Sequence, residues 1–413
     1  MIKVVPIAAL IAGLLSGCGD RSRDQPAGKR SVRAPTTRQP DHGTPGAPLR
    51  PGDAAWPGFG RDAAHSGAAA VSGPRTARVR WRRRLEGPVV PGPVVGRDGL
   101  VVAASNGGVL HGIDLRTGAD RWRLDAHATY GSDLSTTPLI TGDGLILWPG
   151  PANALIAVDA SGRERWRLQF GGEPRSPALT PDGSLVVGDA AGGLTAFARP
   201  SAERAPQRRW HLQLGTTSYS SPAVGSDGTV YTTVDRDLVA VRDGMVRWRT
   251  SAGDISETSP AITPAGLIVF SANDDVIRAL TPAGRPVWSY AIGALTYSSP
   301  AVTRDGLVLF GDHLGRVTTL DGATGKLLAQ VHGLARTPTL RSVGVWTQPI
   351  VDARHDVYFG TRPGHIYGFS ARGRRLLDID TGATVDSYPA LAADGTLLVG
   401  SESGELWAIG GRW

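Results

Sequence analysis

The stretches SPALTPDG (176–183), SPAVGSDG (221–228), SPAITPAG (259–266) and SPAVTRDG (299–306) repeat one pattern. In each, a serine and a proline precede a short apolar run and a turn that ends in glycine. Looser copies begin at Gly92, Thr137, Gln348 and Tyr388. The prolines of the eight copies are 38 to 49 residues apart, close to the repeat length of a four-stranded propeller blade. The repeat therefore predicts an all-β fold, an eight-bladed β-propeller.

Each repeat can be divided into four strands. In the repeat that begins at Ser299, the runs PAVT, LVLFG, RVTTLD and KLLAQV are separated by three turns, each with a glycine. Asp-Gly and similar pairs between β-branched runs favour hairpins, because type I′ and II′ turns need positive φ. A sheet of four antiparallel strands must pack against further sheets to bury its faces, and a ring of blades achieves this. We therefore expect four-stranded antiparallel blades and few helices.

Tryptophan recurs near the start of the fourth strand in five repeats, at Trp122, Trp166, Trp210, Trp248 and Trp288. The run that ends at Trp122 carries Asp114 and a Thr-Gly pair before the ring. This order resembles the tryptophan-docking motif of the pyrroloquinoline-quinone (PQQ)-like propeller family, over roughly residues 56 to 413. The resemblance implies that the rings fill gaps between blades, where one aromatic side chain buries about 150–250 Å². The sixth and seventh repeats place leucines near this position, at Leu327, Leu328, Leu376 and Leu377.

The two ends of the repeat region complement each other. Residues 79–85 (VRWRRRL) have the pattern of a fourth strand with no blade before it, and the last repeat has room for only three strands. We expect 79–85 to pair with the last blade, because this closure leaves no open edge strand. The segment 56–67 (WPGFGRDAAHSG) resembles the lead-in found before repeats of this family, which implies a structural latch rather than an active site.

The N-terminus has the features of a lipoprotein leader. Lys3 precedes an apolar run (4–15) that is too short to span a bilayer and is typical of a cleaved signal peptide, here residues 1–17. The Leu-Ser-Gly-Cys sequence at its end resembles the lipobox of bacterial lipoproteins. Cys18 is the chain's only cysteine, so we expect it to carry lipid that holds the protein on a membrane. A chance cysteine near an ordinary cleavage site is the alternative.

Composition separates the rest of the chain into a tether and a folded domain. Residues 18–55 are rich in Pro, Gly and Arg and have almost no large apolar side chains, which predicts a disordered tether. Residues 56–413 form the predicted propeller. Of the net charge of +7, the propeller contributes little, because its basic and acidic residues nearly balance. This balance excludes the basic footprint of a nucleic-acid-binding domain.

Catalytic motifs are absent from the sequence. It contains no GxSxG, HExxH, paired CxxC or Walker motif, so we predict no catalytic residue, no metal site and no cofactor. The segments Asp235–Asp237 and Asn273–Asp275 fall in turns, where Asx residues are ordinary. We expect His313 and His365, in the equivalent turns of the next blades, to be solvated. The PQQ-like resemblance implies a quinone-dependent dehydrogenase as the enzyme alternative, but such an enzyme needs an adjacent cysteine pair, calcium ligands and a catalytic aspartate.

The residue three places before each repeat proline varies from blade to blade, and in a propeller it should lie at the mouth of the central channel. These residues are, from blade 1 to blade 8, Val90, Ser135, Pro174, Tyr219, Glu257, Tyr297, Trp346 and Asp386. The last five predict a partner-binding mouth, because rigid rings supply contact area at little entropic cost. The alternative is that the rings only plug the channel. The longest connection between repeats, 332–346, ends at this mouth and is the candidate partner loop.

A lipid-anchored propeller of this kind resembles the BamB-like lipoprotein family of the outer-membrane β-barrel assembly machinery. The resemblance implies a non-enzymatic scaffold on the periplasmic face of the outer membrane, with a periplasmic or outer-membrane protein as its partner. We predict that function, for a monomeric propeller that contacts the membrane through Cys18. A ligand- or carbohydrate-binding propeller of the cell surface is the alternative, and a quinone-dependent dehydrogenase is less favoured.

Overall fold

The computed structural model describes residues 56–130, 136–332 and 344–411, so the predicted signal peptide, Cys18 and the tether lie outside the described residues. Within those ranges, no helix is long and apolar enough to cross a membrane. The strands of the described residues are, in chain order, β1 Val79–Arg84, β2 Val94–Val95, β3 Leu100–Ser105, β4 Val109–Asp114, β5 Asp120–Asp125, β6 Leu139–Ile140, β7 Ile146–Gly150, β8 Ala154–Val158, β9 Glu164–Gln169, β10 Ala178–Leu179, β11 Leu185–Gly188, β12 Gly193–Phe197, β13 Arg208–Gln213, β14 Ala223–Val224, β15 Val230–Val234, β16 Asp237–Arg242, β17 Met245–Ser251, β18 Ala261–Ile262, β19 Ile268–Ala272, β20 Val276–Leu280, β21 Pro286–Ala291, β22 Ala301–Val302, β23 Leu307–Gly311, β24 Arg316–Asp321, β25 Leu327–His332, β26 Ile350–Val351, β27 Val357–Gly360, β28 His365–Phe369, β29 Arg375–Asp380, β30 Ala390–Leu391, β31 Thr396–Gly400 and β32 Glu405–Gly410.

These strands form eight four-stranded antiparallel sheets, which confirms the predicted eight-bladed propeller. Blade 1 consists of β2 to β5, and each of blades 2 to 7 takes the next four strands, up to β29. Blade 8 combines β30, β31 and β32 with β1. The first strand of each blade is two residues long, and neighbouring first strands contact one another around the channel.

The hydrophobic core lies between the blades. Among its largest fully buried side chains are Trp148, Phe270, Phe310 and Tyr358. The cluster that contains Phe270 of blade 5 also contains Tyr231 of blade 4. Because full burial of one such side chain contributes about 1.5–3 kcal/mol, the stability of the ring is spread over its blade-to-blade interfaces.

The tryptophans of the fourth strands lie opposite small residues of the third strands. The pairs across the register are Trp81 with Ala408, Trp122 with Gly112, Trp166 with Ala157, Trp210 with Ala196, Trp248 with Ala240 and Trp288 with Ala279. In blade 7 the same position holds Leu377, opposite Gly368. In blade 6 it holds Ala329, opposite Thr319, so Leu327 and Leu328 flank the position and do not occupy it.

Each of these rings docks on the turn between the third and fourth strands of the next blade. A Cβ built on Gly162 would lie 2.6 Å from the Trp122 ring, and one on Gly284 would lie 2.8 Å from the Trp248 ring. The indole N–H of Trp248 donates to the Pro282 carbonyl at 2.8 Å. The structure therefore confirms that the tryptophans join neighbouring blades. It also shows why these turns contain a glycine, since a side chain there would meet the ring.

The ring closes as the sequence predicts. β1 pairs antiparallel with β32, with Arg82 opposite Trp407. The Trp81 indole donates to the Leu115 carbonyl of blade 1 at 2.8 Å. The first strand of the chain therefore completes the last blade and also docks it on the first.

A segment ahead of β1, residues 56–73, crosses the end of the channel, and we call it the latch. The first strands of six blades donate backbone N–H groups to its carbonyls at 2.7–2.9 Å: Val95 to Trp56, Ile140 to Pro57, Val224 to Ala63, Ile262 to Ala64, Val302 to Ser66 and Val351 to Gly67. The prediction that 56–67 is a structural latch is confirmed.

The antiparallel order of the strands divides the connections between two faces of the ring. The turns between strands one and two, and between strands three and four, lie on the side of the latch, which we call the latch face. The turns between strands two and three and the connections between blades lie on the opposite side, the mouth face. The residue three places before each repeat proline belongs to the mouth face.

Candidate functional site at the channel mouth

The five residues of the predicted mouth line one cavity of about 360 Å³ on the mouth face. They are Tyr219, Glu257, Tyr297, Trp346 and Asp386. Val90 lines the same cavity, whereas Pro174 is buried and pairs with Asp189. Ser135 and most of the candidate partner loop, residues 333–343, lie outside the described residues.

The latch supplies the floor of this cavity. Phe59 lines it and is 5% exposed. Its ring meets Tyr388 edge to face, with the ring centres 4.9 Å apart, and meets His65 in the same way at 4.7 Å. The channel is therefore a cup, open at the mouth and closed by the latch.

Trp346 is the centre of an aromatic cluster on the cavity wall. The His313 ring stacks on it, with centres 5.1 Å apart, and the Tyr297 ring meets it edge to face at 4.8 Å. The guanidinium carbon of Arg362 lies 3.8 Å from the centre of the Trp346 ring, a favourable cation–π contact. With two groups over its ring, Trp346 offers little free aromatic face.

The expectation that His313 is solvated is wrong. Its ring packs against Tyr297 and Trp346, and burial lowers the pKa of this imidazole. The side chain comes from the turn between β23 and β24, which brings it beside the connection that precedes β26. His365, the other histidine, begins β28 and is hydrogen-bonded to Asp378, with 2.7 Å between Nδ1 and Oδ1.

Two arginines of the wall were not among the predicted site residues. Arg175 is 4% exposed, and its guanidinium donates from Nε and Nη2 to the Ser218 carbonyl, the first at 2.8 Å. Its guanidinium carbon lies 5.5 Å from the centre of the Tyr219 ring. Arg362 forms an ion pair with Asp386, with 3.6 Å between Nη1 and Oδ2. Both arginines hold mouth residues in place, and both add positive charge to a wall that also carries carboxylates.

The carboxylates balance this charge around the cavity. Glu257 accepts a hydrogen bond from the Asn273 side chain at 3.0 Å. Burial, and then the charge of Glu257, raise the pKa of the Tyr297 hydroxyl, so this tyrosine stays protonated at neutral pH. Within the described residues, no group of three or more His, Cys, Asp and Glu side chains is placed to hold a metal ion.

Large apolar side chains are exposed on the mouth face of three consecutive blades. They are Tyr219 (46% exposed), Ile255 (39%), Leu295 (37%) and Leu314 (47%), and we call them the apolar arc. The backbone beneath them is held in place, because the Ile255 and Leu295 carbonyls accept bonds at 2.9 Å from Asn273 and His313 of their own blades. Ile255 and Leu295 both lie five places before a repeat proline, a position outside the predicted mouth residues.

Comparison with known proteins identifies the family. The family model described as "Outer membrane protein assembly factor BamB" matches residues 63–177, 108–217 and 192–411. The chain belongs to this family. Among curated relatives, the outer membrane protein assembly factor BamB of Burkholderia pseudomallei is 32% identical over 113 residues, 27% of this chain and 28% of the relative. The PQQ-like repeat, the propeller and the family inferred from the tryptophan motif are thus confirmed.

Quinoprotein enzymes are also similar to this chain. The quinohemoprotein alcohol dehydrogenase of Comamonas testosteroni is 27% identical over 213 residues, which are 45% of this chain and 28% of that protein. The matched stretches therefore span less than a third of either curated relative's length. The crystal structure of that dehydrogenase superposes with a TM-score of 0.67 at 16% identity, covering 89% of this chain and 82% of the other.

The structure of BamB from Moraxella catarrhalis superposes with a TM-score of 0.63 at 16% identity, covering 80% of this chain and 96% of that one. At these identities, both superpositions show a common fold. The residues of this chain do not fit a quinone cofactor held against adjacent cysteines, since its one cysteine is Cys18. The same fold therefore occurs in a scaffold protein and in an enzyme. The side chains of the mouth face are needed to distinguish the two functions.

Proposed function

We propose that this protein is a non-enzymatic scaffold of the cell envelope that binds a partner protein through its mouth face, in the assembly of outer-membrane proteins. Residues 1–17 act as a lipoprotein signal peptide, Cys18 carries the lipid, and 18–55 tether a monomeric propeller at the periplasmic face of the outer membrane. The partner is a periplasmic or outer-membrane protein. Membership of the BamB family supports this role.

The apolar arc is the observation that carries the proposal. Its four side chains are exposed on the same face of three consecutive blades, and apolar side chains that are exposed together on one surface often mark an interaction site. Arg175 lies beside the Tyr219 ring of the arc, and Arg362 lies over the Trp346 ring on the same mouth face. Aromatic residues and arginines dominate the binding energy of protein interfaces. The mouth face thus combines the residue types that anchor a protein partner.

A carbohydrate or another small ligand is the second candidate, because the mouth cavity has about 360 Å³ and polar groups in its wall, within the range of small-molecule sites. The occupied ring of Trp346 counts against it. Arg362 and His313 already lie over this ring, so a sugar would find little free face there. Tyr219 is the exposed ring of the wall.

The test compares two sets of exposed apolar side chains. One variant replaces the arc residues Tyr219, Ile255, Leu295 and Leu314 with serine. The matched control replaces Met245, Val287 and Leu327, which are 43–55% exposed on the outer strands β17, β21 and β25. Both variants should fold, since exposed substitutions usually change stability by less than about 0.5 kcal/mol.

The lipidated proteins are then used to recover partners from envelope extracts. We expect the arc variant to recover at least about tenfold less of the assembly subunits than wild type, because one interface hot spot is worth about 2 kcal/mol. The control should recover them as wild type does. Equal recovery by both variants contradicts the proposal, and binding of a soluble glycan without any protein partner supports the second candidate.

A third variant separates a binding mouth from a plug. Tyr219, Tyr297 and Trp346 are replaced together with serine. Tyr297 and Trp346 are partly buried, so some loss of stability is expected, up to about 3–5 kcal/mol for one fully buried aromatic. If the rings are only a plug, melting temperature falls and the partner yield of the remaining folded protein stays unchanged. The proposal expects that yield to fall.

A further inference from the structure

The latch passes from blade 2 to blade 4 without pairing with blade 3. Pro57 accepts from Ile140 of blade 2, and Ala63 accepts from Val224 of blade 4. The equivalent residue of blade 3 is Leu179, because it occupies the same register in β10 as Ile140 does in β6. Among the described residues, the Leu179 N–H has no hydrogen-bond partner. Neither does the Pro177 carbonyl, which lies two residues earlier on the same side of the strand.

A cavity of about 240 Å³ fills the place that the latch leaves open. Most of its lining is apolar, including Phe59, Leu139, Ile140, Ala178 and Leu179. The described residues therefore combine, at one point on the latch face, an apolar cavity and a short stretch of strand edge. We call this site the blade-3 cleft.

The latch cannot collapse into the cleft, because its turn is held by internal hydrogen bonds. The Asp62 carboxylate accepts from the Ala64 and Ser66 backbone N–H groups at 3.2 and 3.1 Å and from the Ser66 hydroxyl at 2.6 Å. The Gly67 N–H donates to the Gly60 carbonyl at 2.8 Å. The cleft is thus preformed.

The latch also shows what kind of molecule fits such an edge. Trp56 exchanges two backbone hydrogen bonds with Val95, at 2.8 and 3.3 Å, in the same way that a peptide adds to an open sheet edge. Trp56 runs antiparallel to β2 and uses both backbone groups of Val95, whereas the latch also makes a parallel bridge, between Ala68 and Val351 of blade 7. At blade 3 a residue of a peptide that runs parallel to β10 can accept from the Leu179 N–H and donate to the Pro177 carbonyl, with its side chain in the cavity. An apolar side chain is required there.

Three carboxylates, of Asp62, Asp143 and Asp182, line the groove beside the cleft against one arginine, Arg199, and Arg61 of the cleft is paired with Asp62. This balance favours a basic neighbour in the peptide. The groove is wider than the cleft, continues from it and shares Asp62, Ala63, Gly142 and Leu179 with it. Asp143 lines this groove, and its carboxylate accepts a hydrogen bond from Thr141. The structure gives Asp143 no ion pair with any described basic side chain, so its charge is available to an arginine or a lysine.

We propose that the blade-3 cleft binds an extended peptide segment of a partner protein, which pairs with the edge of β10, places an apolar side chain in the cavity and sets a basic side chain beside Asp143. The cleft lies on the face opposite the mouth, so this inference goes beyond the proposed function and does not depend on it. A propeller with both sites can hold two polypeptides at once.

The test uses a blocked synthetic peptide, acetyl-Gly-Arg-Leu-Arg-Gly-amide, and the same peptide with N-methyl-leucine. Titration calorimetry measures affinity for the full mature protein, and amide exchange reports on Leu179. N-methylation removes the donor to Pro177, so affinity should fall about two- to tenfold, the effect of one net hydrogen bond. Equal affinity of the two peptides overturns the edge pairing.

Two variants locate the binding site. Ala63→Leu fills the cavity while its backbone carbonyl still accepts from Val224, and it should weaken binding at least about tenfold. Ala64→Leu is the matched control, since Ala64 lines the outer groove and not the cavity, and it should stay within about twofold of wild type. Unchanged binding by Ala63→Leu shows that the peptide binds elsewhere and overturns the proposal.

Two further measurements test whether the cleft acts independently of the mouth and of the N-terminal segment. The triple serine variant at the mouth should bind the peptide as wild type does, whatever becomes of the proposed function. A chain that lacks residues 18–55 should also bind as the full protein does. Binding only after this removal would mean that the chain's own N-terminal segment occupies the cleft, and it would overturn the assignment to a partner.

Discussion

The docking of each tryptophan on a glycine of the next blade can be tested by adding one methyl group. In Gly162→Ala, the new Cβ lies 2.6 Å from the Cγ and Cδ2 atoms of Trp122, so either the ring or the turn must move. Gly162 also has φ of +84°. The variant therefore has two costs, one from the backbone and one from the ring.

A second glycine of blade 2 separates these two costs. Gly144 has φ of +86°, and a Cβ there would have no atom within 4 Å. Gly144→Ala thus carries only the cost of the left-handed conformation, about 1–2 kcal/mol. Gly162→Ala carries the same cost and that of overpacking against the ring, about 1–3 kcal/mol more.

Thermal unfolding, followed by circular dichroism, measures the difference. For a propeller of this size, 1 kcal/mol corresponds to about 1.5 °C, so Gly162→Ala should melt about 1.5–4.5 °C below Gly144→Ala. In the background of Trp122→Leu the difference should largely disappear, because the ring that clashes is gone. Equal melting temperatures for the two alanine variants, or the same difference without the ring, would refute the docking of Trp122 on Gly162.

Three more predictions follow from the latch, the closing strand and the leader. Burial lowers the pKa of His65 to about 4, so the unfolded chain takes up the proton first as pH falls through about 6.5. In urea unfolding, this histidine should account for about 3 kcal/mol of stability lost between pH 7 and 4. If His65→Gln loses as much stability over this pH range as wild type does, the prediction is wrong. Deleting 56–85 removes β1 and six latch hydrogen bonds, the latter worth about 3–9 kcal/mol, so the melting temperature should fall. An unchanged melting temperature would show that neither β1 nor the latch stabilises the ring. Cys18→Ala should release the protein from membranes; membrane-bound protein after a salt wash would exclude the lipid anchor.

The architecture could be predicted from the sequence because the same local sequence features recur in most blades. The proline before β22, the Asp-Gly turn after it and the tryptophan of β21 act within one blade or between neighbours, and each recurs at a fixed spacing. The pairing of 79–85 with the last blade followed from counting strands. Blade 6 is an exception, because with the same bulge as the other blades its register places Ala329, and neither Leu327 nor Leu328, at the tryptophan position.

The path of the latch and part of the mouth could not be predicted in this way. Phe59 contacts Tyr388, which is 329 positions away in the sequence, and a local sequence pattern cannot predict such a contact. His313 joins the mouth because the turn of one blade lies beside the connection to the next. Arg175 lies two places before its proline, next to the predicted mouth position Pro174, and its role depends on the carbonyl of Ser218 in blade 4.

The same repeat explains why the apolar arc points to a partner. Five places before the proline, the other blades with a described residue at this position have Pro88, Gly172, Thr217, Gly344 and Thr384. The blade therefore folds without a large apolar side chain there. Ile255 and Leu295 are more than one-third exposed, so their burial contributes little to the stability of the fold. The exposed part of their apolar surface gives no favourable free energy until it is removed from water. A surface covered by a partner recovers that free energy on binding, which makes the arc costly for an isolated propeller and favourable for a scaffold.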